Sequence, residues 1–186
     1  MRKLAVVVVL LGACSSEGGA RLPTRAHGDP VVEVRGALKD GRRYALGRAD
    51  LEALPRRTVR GVDPADGREA TWDGVPLLAL VGQEVKKGVD TAVVRTADGG
   101  AIPIPLVVVR TLKPVLADRA DGAPLPAPIL AWPTLEQRGI ETDPRAVGWW
   151  THGVVALELV DWQRTFASAL ATPDGAPDAA RRGAAW

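Results

Sequence analysis

Cys14 is the only cysteine among the 186 residues, so thiol chemistry can come from one position only. A thiolate serves as a nucleophile, a disulfide partner or a soft metal ligand. No residue after Cys14 has a thiol, so the body of the protein contains no disulfide, no thiolate metal ligand and no cysteine nucleophile. Serines occur only at positions 15, 16 and 168, and none lies in a Gly-x-Ser-x-Gly motif. The sequence therefore does not support serine hydrolase activity.

The two histidines differ in their surroundings. His152 follows Trp149, Trp150 and Thr151, where it would be either a metal or haem ligand or a hydrogen-bonded residue at a strand edge. We favour the second interpretation, because no other histidine or carboxylate stands at ligand spacing from it, and we expect no metal site. His27 lies in a segment without apolar periodicity and receives no role.

Charged residues are spread along the chain, with a formal net charge of only +2. A basic stripe is absent from the sequence, so we expect no nucleic-acid partner. Asp63 and Asp66 could form a carboxylate pair, although turn formation explains them better. Several basic residues could contact an anionic ligand if the fold gathers them: Arg95, Arg110, Lys113, Arg119 and Arg145.

The N-terminal residues have the three parts of an export signal. Arg2 and Lys3 precede the apolar residues 4–11, and Gly12-Ala13 provides a small-residue cleavage site. With Cys14 directly after that site, residues 1–13 resemble a bacterial lipoprotein signal peptide, which implies lipidation of Cys14 and a membrane anchor. The alternative is an ordinary secretory signal. Residues 14–30, rich in Gly, Ser and charged residues, then form a flexible tether.

Short apolar runs separated by Asp-Gly pairs predict strands joined by tight turns. Residues 31–37 and 42–46 form one predicted hairpin, and residues 91–96 and 101–104 form another. Residues 48–54 and 76–81 are predicted short helices. Residues 106–109 are wholly apolar, and periodicity does not decide between strand and helix.

Residues 148–162 give the longest strand signal, and because both of its faces are largely apolar we expect a central strand. The predicted fold class is α+β, with mainly short strands and a few short helices in a single domain over residues 31–165. Residues 166–186 are assigned to a helix and a small-residue tail.

Several separated segments resemble, in the same order, the molybdopterin-binding domain of sulfite-oxidase-type oxidoreductases. They are residues 46–55, the turn Trp72-Asp73-Gly74-Val75-Pro76-Leu77, residues 96–104, 115–117, 121–126 and 129–133, and Trp149-Trp150. The resemblance implies that fold for most of residues 31–162. In catalytic members a cysteine before the Trp-x-Gly turn ligates molybdenum. The corresponding residues 60–64 contain no cysteine, and Val62 or a hard Asp63 carboxylate does not replace a soft thiolate.

The signal resemblance predicts a lipid-anchored envelope protein. The retained fold residues and the missing ligand predict that its domain is a non-catalytic binding or accessory module, with a respiratory redox system as the candidate context. The alternatives are a molybdopterin-dependent oxidoreductase without the cysteine ligand and a structural envelope lipoprotein. We expect no catalytic residue and no cofactor, with molybdopterin the one candidate that the resemblance offers. Its anion or pterin contacts would be Arg110, Arg119, Arg145 and His152.

The resemblances in the sequence also predict a localisation and a candidate partner. We expect the domain on the periplasmic face of the bacterial envelope, anchored through Cys14, and Ser15 favours the outer membrane. Residues 179–186 look like the opening of a c-type cytochrome helix, although the chain ends before any haem-attachment motif. A separate cytochrome c or another redox protein is therefore the candidate partner, by analogy alone.

Overall fold

The computed structural model describes residues 22–82, 85–136 and 148–165. In these ranges the elements are β1 (Val32–Gly36), β2 (Tyr44–Leu46), α1 (Arg48–Ala53), β3 (Arg57–Val62), β4 (Glu69–Pro76), α2 (Leu77–Val81), β5 (Thr91–Thr96), β6 (Ala101–Pro105), α3 (Leu106–Leu112), β7 (Val115–Ala120), β8 (Ala123–Ala131) and β9 (Val154–Val160). No helix in the described part of the chain is long and apolar enough to cross a membrane.

A five-stranded mixed sheet has β9 at its centre, in the order β2-β1-β9-β5-β6. Strand β9 pairs in parallel with β1 and antiparallel with β5. Leu157 and Leu159 are fully buried, as expected of a strand with neighbours on both sides. The central position predicted for this segment is confirmed, but the strand is shorter than residues 148–162.

The second sheet is antiparallel, in the order β3-β4-β7-β8. Strands β7 and β8 are joined at Asp121 and Gly122, which both adopt positive φ angles, at 50° and 81°. This is the conformation that an Asp-Gly turn favours in a two-residue hairpin loop. Strand β8 begins at Ala123, and its pairing with β7 shifts register at Asp118, between the paired residues Ala117 and Arg119.

One hydrophobic core joins the two sheets, and its members include Trp72, Leu77, Val154, Leu157 and Leu159. The Trp72 side chain is 2% exposed, and its indole N–H donates to the carbonyl oxygen of Gly61 at 3.1 Å. A shared core is the physical mark of one domain. The predicted single domain and α+β class are confirmed.

The undecided apolar residues 106–109 belong to α3. Leu106 and Val109, three residues apart, are buried, whereas Val107 between them is 65% exposed. This spacing places one face of a helix against the core. The segment is therefore a helix with one face packed on the core, which its apolar composition alone did not reveal.

The segment assigned to a tether packs against the domain over its described part. Leu22 is 5% exposed and belongs to the core cluster. The backbone N–H of His27 donates to Oδ2 of Asp50 at 2.8 Å, and the His27 ring lies 2.5 Å from Oδ1. Residues 22–30 are therefore a docked extension of the domain. The sequence missed this because a single leucine has no periodicity.

Candidate functional site

The candidate site centres on a pair formed by His152 and Asp63. Nε2 of His152 lies 2.9 Å from Oδ2 and 3.1 Å from Oδ1 of Asp63. The Asp63 side chain is 4% exposed, whereas that of His152 is 48% exposed. Asp63 immediately follows β3, and His152 comes shortly before β9, so the pair connects the two sheets. The ionised form of such a buried carboxylate needs a partner of this kind.

Asp63 also shapes the turn between β3 and β4. Its Oδ1 accepts the backbone N–H of Ala65 at 2.9 Å, and its own N–H donates to the carbonyl oxygen of Arg68 at 2.8 Å. Asp66 accepts the N–H of Arg68 in the same manner. The interpretation of both aspartates as turn residues is confirmed. The sequence did not reveal that Asp63 also contacts His152, 89 positions away.

Tryptophans pack closely against one another and against the backbone of β3. The rings of Trp72 and Trp150 meet edge to face, with centroids 5.5 Å apart. A Cβ atom added at Gly61 would overlap the carbonyl oxygen of Trp132 and lie 2.9 Å from Cη2 of Trp150. Only glycine permits this approach. Trp72, Trp132 and Trp150 are all buried, so these three side chains contribute to the packing of the fold.

One polar atom in this cluster is unsatisfied. The indole nitrogens of Trp72 and Trp132 donate to carbonyl oxygens of Gly61 and Trp149, respectively. Nε1 of Trp150 is buried and has no hydrogen-bond partner among the residues that the structure describes. Such an atom carries a desolvation penalty, so the Trp150 indole is held by its packing rather than by a hydrogen bond.

Asp63 orients the His152 ring, but neither residue of the pair is a nucleophile. An ionised carboxylate only accepts hydrogen bonds, so Nε2 carries the proton and Nδ1 is the acceptor in the neutral ring. The nearby hydroxyls are engaged: Thr151 donates to the carbonyl oxygen of Trp149, and Thr134 accepts the N–H of Val62. The arrangement can accept a hydrogen bond at Nδ1, and among the described residues around it there is no activated nucleophile.

The donor set does not fit a molybdenum centre of the kind that the resemblance implies. The segment that would carry the thiolate, residues 60–64, offers the carboxylate of Asp63, which is already bound by His152 and Ala65. Within the described ranges no three His, Cys, Asp or Glu side chains gather closely enough to hold a metal ion. Oxygen donors also suit hard cations rather than a thiolate-type site.

The predicted anion contacts are placed on different elements. Arg119 lies on β7, where its Nη2 is 2.8 Å from Oε1 of Glu52, and Arg110 is exposed on α3. His152 contacts Asp63, and no contact described for this pair involves either arginine. Arg145 lies outside the described residues, as does Cys14. A common site for these four residues stays a prediction.

A second charge cluster stabilises the four-stranded sheet. Nη2 of Arg56 lies 2.5 Å from Oδ1 of Asp118 and 2.9 Å from Oδ2 of Asp73. The hydrogen bond with Asp118, and then that with Asp73, raise the pKa of Arg56 further above its ordinary value. Because the two carboxylates already engage the guanidinium group, this cluster joins the end of α1 to β4 and β7 rather than presenting a free cation.

A shallow cavity of about 490 Å³ lies against the five-stranded sheet. Its wall contains Arg35 of β1, Arg95 of β5 and Val155 of β9, together with Gly99 and Gly100 of the β5–β6 turn. Arg95 belongs to the set of basic residues that sequence reasoning named, but Arg35 was missed. The only sequence signal for Arg35 is its alternation with the buried Val34, which places it on the outer face of β1.

Comparison with solved structures gives a match for this chain. The fold is similar to that in the crystal structure of the sulfane dehydrogenase SoxCD from Paracoccus pantotrophus, with a TM-score of 0.55 and 18% sequence identity. The match covers 77% of this chain and 40% of that one, so this chain spans well under half the length of the protein it resembles. No protein-family profile and no curated protein sequence matches. The α+β fold is thus similar to the sulfite-oxidase-like molybdopterin domain.

Proposed function

We propose that this chain is a lipid-anchored protein of the bacterial envelope whose molybdopterin-oxidoreductase-like domain is a non-catalytic binding or accessory module. The proposal of a non-catalytic domain depends on one observation, the burial and the contacts of the Asp63 carboxylate. Its carboxylate is buried and engaged by His152 and Ala65 in the loop where catalytic relatives would ligate molybdenum. The anchoring part depends on Cys14 and the signal-like residues before it.

The contacts of Asp63 oppose metal binding for two reasons. A metal ion would compete for the carboxylate oxygens that already contact the His152 ring and the backbone N–H of Ala65. A carboxylate would also supply hard oxygen donors in place of a polarisable sulfur.

The competing function is a molybdopterin-dependent oxidoreductase that binds its cofactor without a cysteine ligand. The structural similarity to a sulfane dehydrogenase favours it, although a fold by itself carries no activity. A structural envelope lipoprotein, the third candidate, would share the anchor but bind no small molecule.

Metal analysis separates the first two functions. The mature protein is purified from a bacterium that makes molybdenum cofactors, and molybdenum is measured per mole of protein together with turnover of sulfur oxyanions. We expect no stoichiometric molybdenum and no turnover. Stoichiometric metal that is lost in Asp63→Asn but retained in Asp66→Asn, a matched change in the same turn, would establish the oxidoreductase instead.

The partner that we propose is a redox protein of the envelope, with a c-type cytochrome as the candidate. Crosslinking in intact cells followed by purification of the anchored protein tests this. A haem protein enriched with the wild type, relative to an unrelated lipoprotein of the same membrane, is the expected result. Recovery of no redox protein would favour the purely structural role.

A further inference from the structure

The cavity on the five-stranded sheet lies on the face opposite the core. Along β1, Val32 and Val34 are buried while Glu33 and Arg35 are partly exposed, so the charged residues point outward. Arg35 stands beside Glu158 in the parallel pairing of β1 and β9. Glu158 in turn stands beside Val93 of β5, two residues before Arg95. Adjacent strands therefore bring two arginines to one carboxylate.

The two arginines are held differently. Nε and Nη2 of Arg95 lie 3.1 and 2.9 Å from Oε2 of Glu158, which fixes that guanidinium group. Nη2 of Arg35 is 3.9 Å from the same oxygen, and its Nη1 is 3.3 Å from Glu33. These are long contacts for charge-assisted hydrogen bonds. Arg35 therefore retains donors that a ligand can use, while Arg95 and Glu158 form the fixed side of the wall.

The cavity also has an apolar wall. Val155 is 40% exposed, one of the few large hydrophobic side chains so exposed in the described part of the chain, and it lines the cavity with Pro30 and Val31. Gly99 has a φ angle of 90°, and a Cβ atom there would meet nothing within 4 Å. The side of the cavity formed by the β5–β6 turn is therefore open.

We propose that this cavity binds a small organic carboxylate with an apolar group, its carboxylate on Arg35 and its apolar group on Val155. A guanidinium group is suited to a carboxylate because its parallel N–H donors match the two oxygens. Burial of Val155 by the apolar group provides the second contribution. The ligand can be a free short-chain acid or the C-terminus of a peptide ending in an apolar residue, since both present the same chemistry. This site is independent of the proposed loss of molybdenum.

The test is an amide chemical-shift titration of the folded protein with hexanoate. We expect saturable shifts centred on residues 31–35, 95–100 and 155–156. Arg35→Gln should weaken binding about tenfold, as expected for loss of a charge-assisted hydrogen bond. Arg42→Gln, a matched change of an exposed arginine outside the cavity wall, should leave the affinity unchanged. Val155→Thr, which preserves side-chain shape, should also weaken binding.

Further probes identify the source of the carboxylate and can overturn the site. Tighter binding of a peptide with a free apolar C-terminus than of its amide and of hexanoate assigns the site to peptide ends, and the reverse order assigns it to free acids. The proposal fails if neither carboxylate gives saturable shifts at the cavity, if hexylamine binds equally well, or if Arg35→Gln binds hexanoate like the wild type while its remaining amide spectrum shows an intact fold.

Discussion

Nε2 of His152 lies 2.9 Å from Oδ2 of Asp63, although the two residues adjoin strands of different sheets. Asp63 begins the turn after β3 of the four-stranded sheet, and His152 precedes β9, the central strand of the other sheet. A neighbouring pairing of Leu130 with Thr151 joins the same two regions. The pair therefore links the sheets at one end, with both carboxylate oxygens of Asp63 within 3.1 Å of Nε2 of His152.

The energy of this link is accessible to a double-mutant cycle. We expect His152→Ala and Asp63→Asn to destabilise the protein with a coupling of about 1 kcal/mol, because one partner is half exposed and solvent screens the interaction. Urea unfolding of the wild type, both single variants and the double variant measures it. Asp66→Asn with His152→Ala is the control, which should be additive. Additive effects of Asp63→Asn and His152→Ala would instead show that the contact contributes nothing.

Truncation of Trp72 should be among the most destabilising single changes. Trp72→Ala removes a buried indole from the shared core and should lower the free energy of unfolding by about 3–5 kcal/mol. Trp72→Phe should have a smaller effect, since it keeps an aromatic ring and loses mainly the hydrogen bond to Gly61. Val107→Ala, at an exposed position on α3, should change stability by about 0.5 kcal/mol or less. Comparable stabilities for Trp72→Ala and Val107→Ala in thermal unfolding would contradict the described core.

Gly74 should not tolerate a side chain. It lies at the irregularity between β4 and β7, where an added Cβ would overlap the carbonyl oxygen of Leu116 and stand 2.5 Å from Cα of Ala117. Both obstacles are backbone atoms, so Gly74→Ala should cost about 2 kcal/mol or more through a forced backbone shift. Gly148→Ala, where an added Cβ would meet no atom of the described residues within 4 Å, is the matched control and should be near neutral. Equal melting temperatures for the two variants would rule out the close pairing of β4 with β7.

Acid should weaken the contact that docks residues 22–30. Burial by itself raises the pKa of Asp50, but hydrogen bonds from the backbone N–H groups of Gly47 and His27 and from the His27 ring outweigh it and lower the pKa below its ordinary value. Because the folded-state pKa is depressed, the stabilisation is complete above the unfolded pKa of about 3.9 and is lost as the pH falls through the folded-state value.

The variants of this contact should differ in their pH dependence. In Asp50→Asn, the fall in unfolding free energy between about pH 5 and pH 2 should be shallower than in the wild type. His27→Ala should keep most of the wild-type slope, since the two backbone donors remain. Denaturant unfolding across this range measures both. An unchanged slope in Asp50→Asn would show that this carboxylate does not contribute to acid sensitivity.

Anchoring through Cys14 is tested by one substitution. Cys14→Ser should abolish incorporation of labelled fatty acid and move the protein from the detergent phase to the aqueous phase, or leave it unprocessed, because serine lacks the thiol that carries the lipid. Ser15→Ala keeps the thiol and should partition like the wild type. A Cys14→Ser protein that stays in the membrane fraction with normal processing would exclude the lipid anchor.

The sequence by itself determined the local features of this protein. Asp-Gly pairs marked the β1–β2, β5–β6 and β7–β8 turns because their backbone conformations depend on a few adjacent residues. The apolar pattern identified β9 as a central strand, and the absence of a second cysteine excluded thiolate chemistry after Cys14. The spaced motifs were sufficient to predict the fold class that the structural match to SoxCD confirms.

Only the tertiary structure decided which distant residues meet. The contact of Asp63 with His152 spans 89 positions, and the cavity wall combines Arg35 with Arg95 through a parallel pairing to Glu158. The docking of Leu22 into the core is of the same kind. Periodicity reports which face of an element is apolar, but not which strand lies beside it or in what register. The candidate site and the cavity depend on that register, so neither could be located from the sequence.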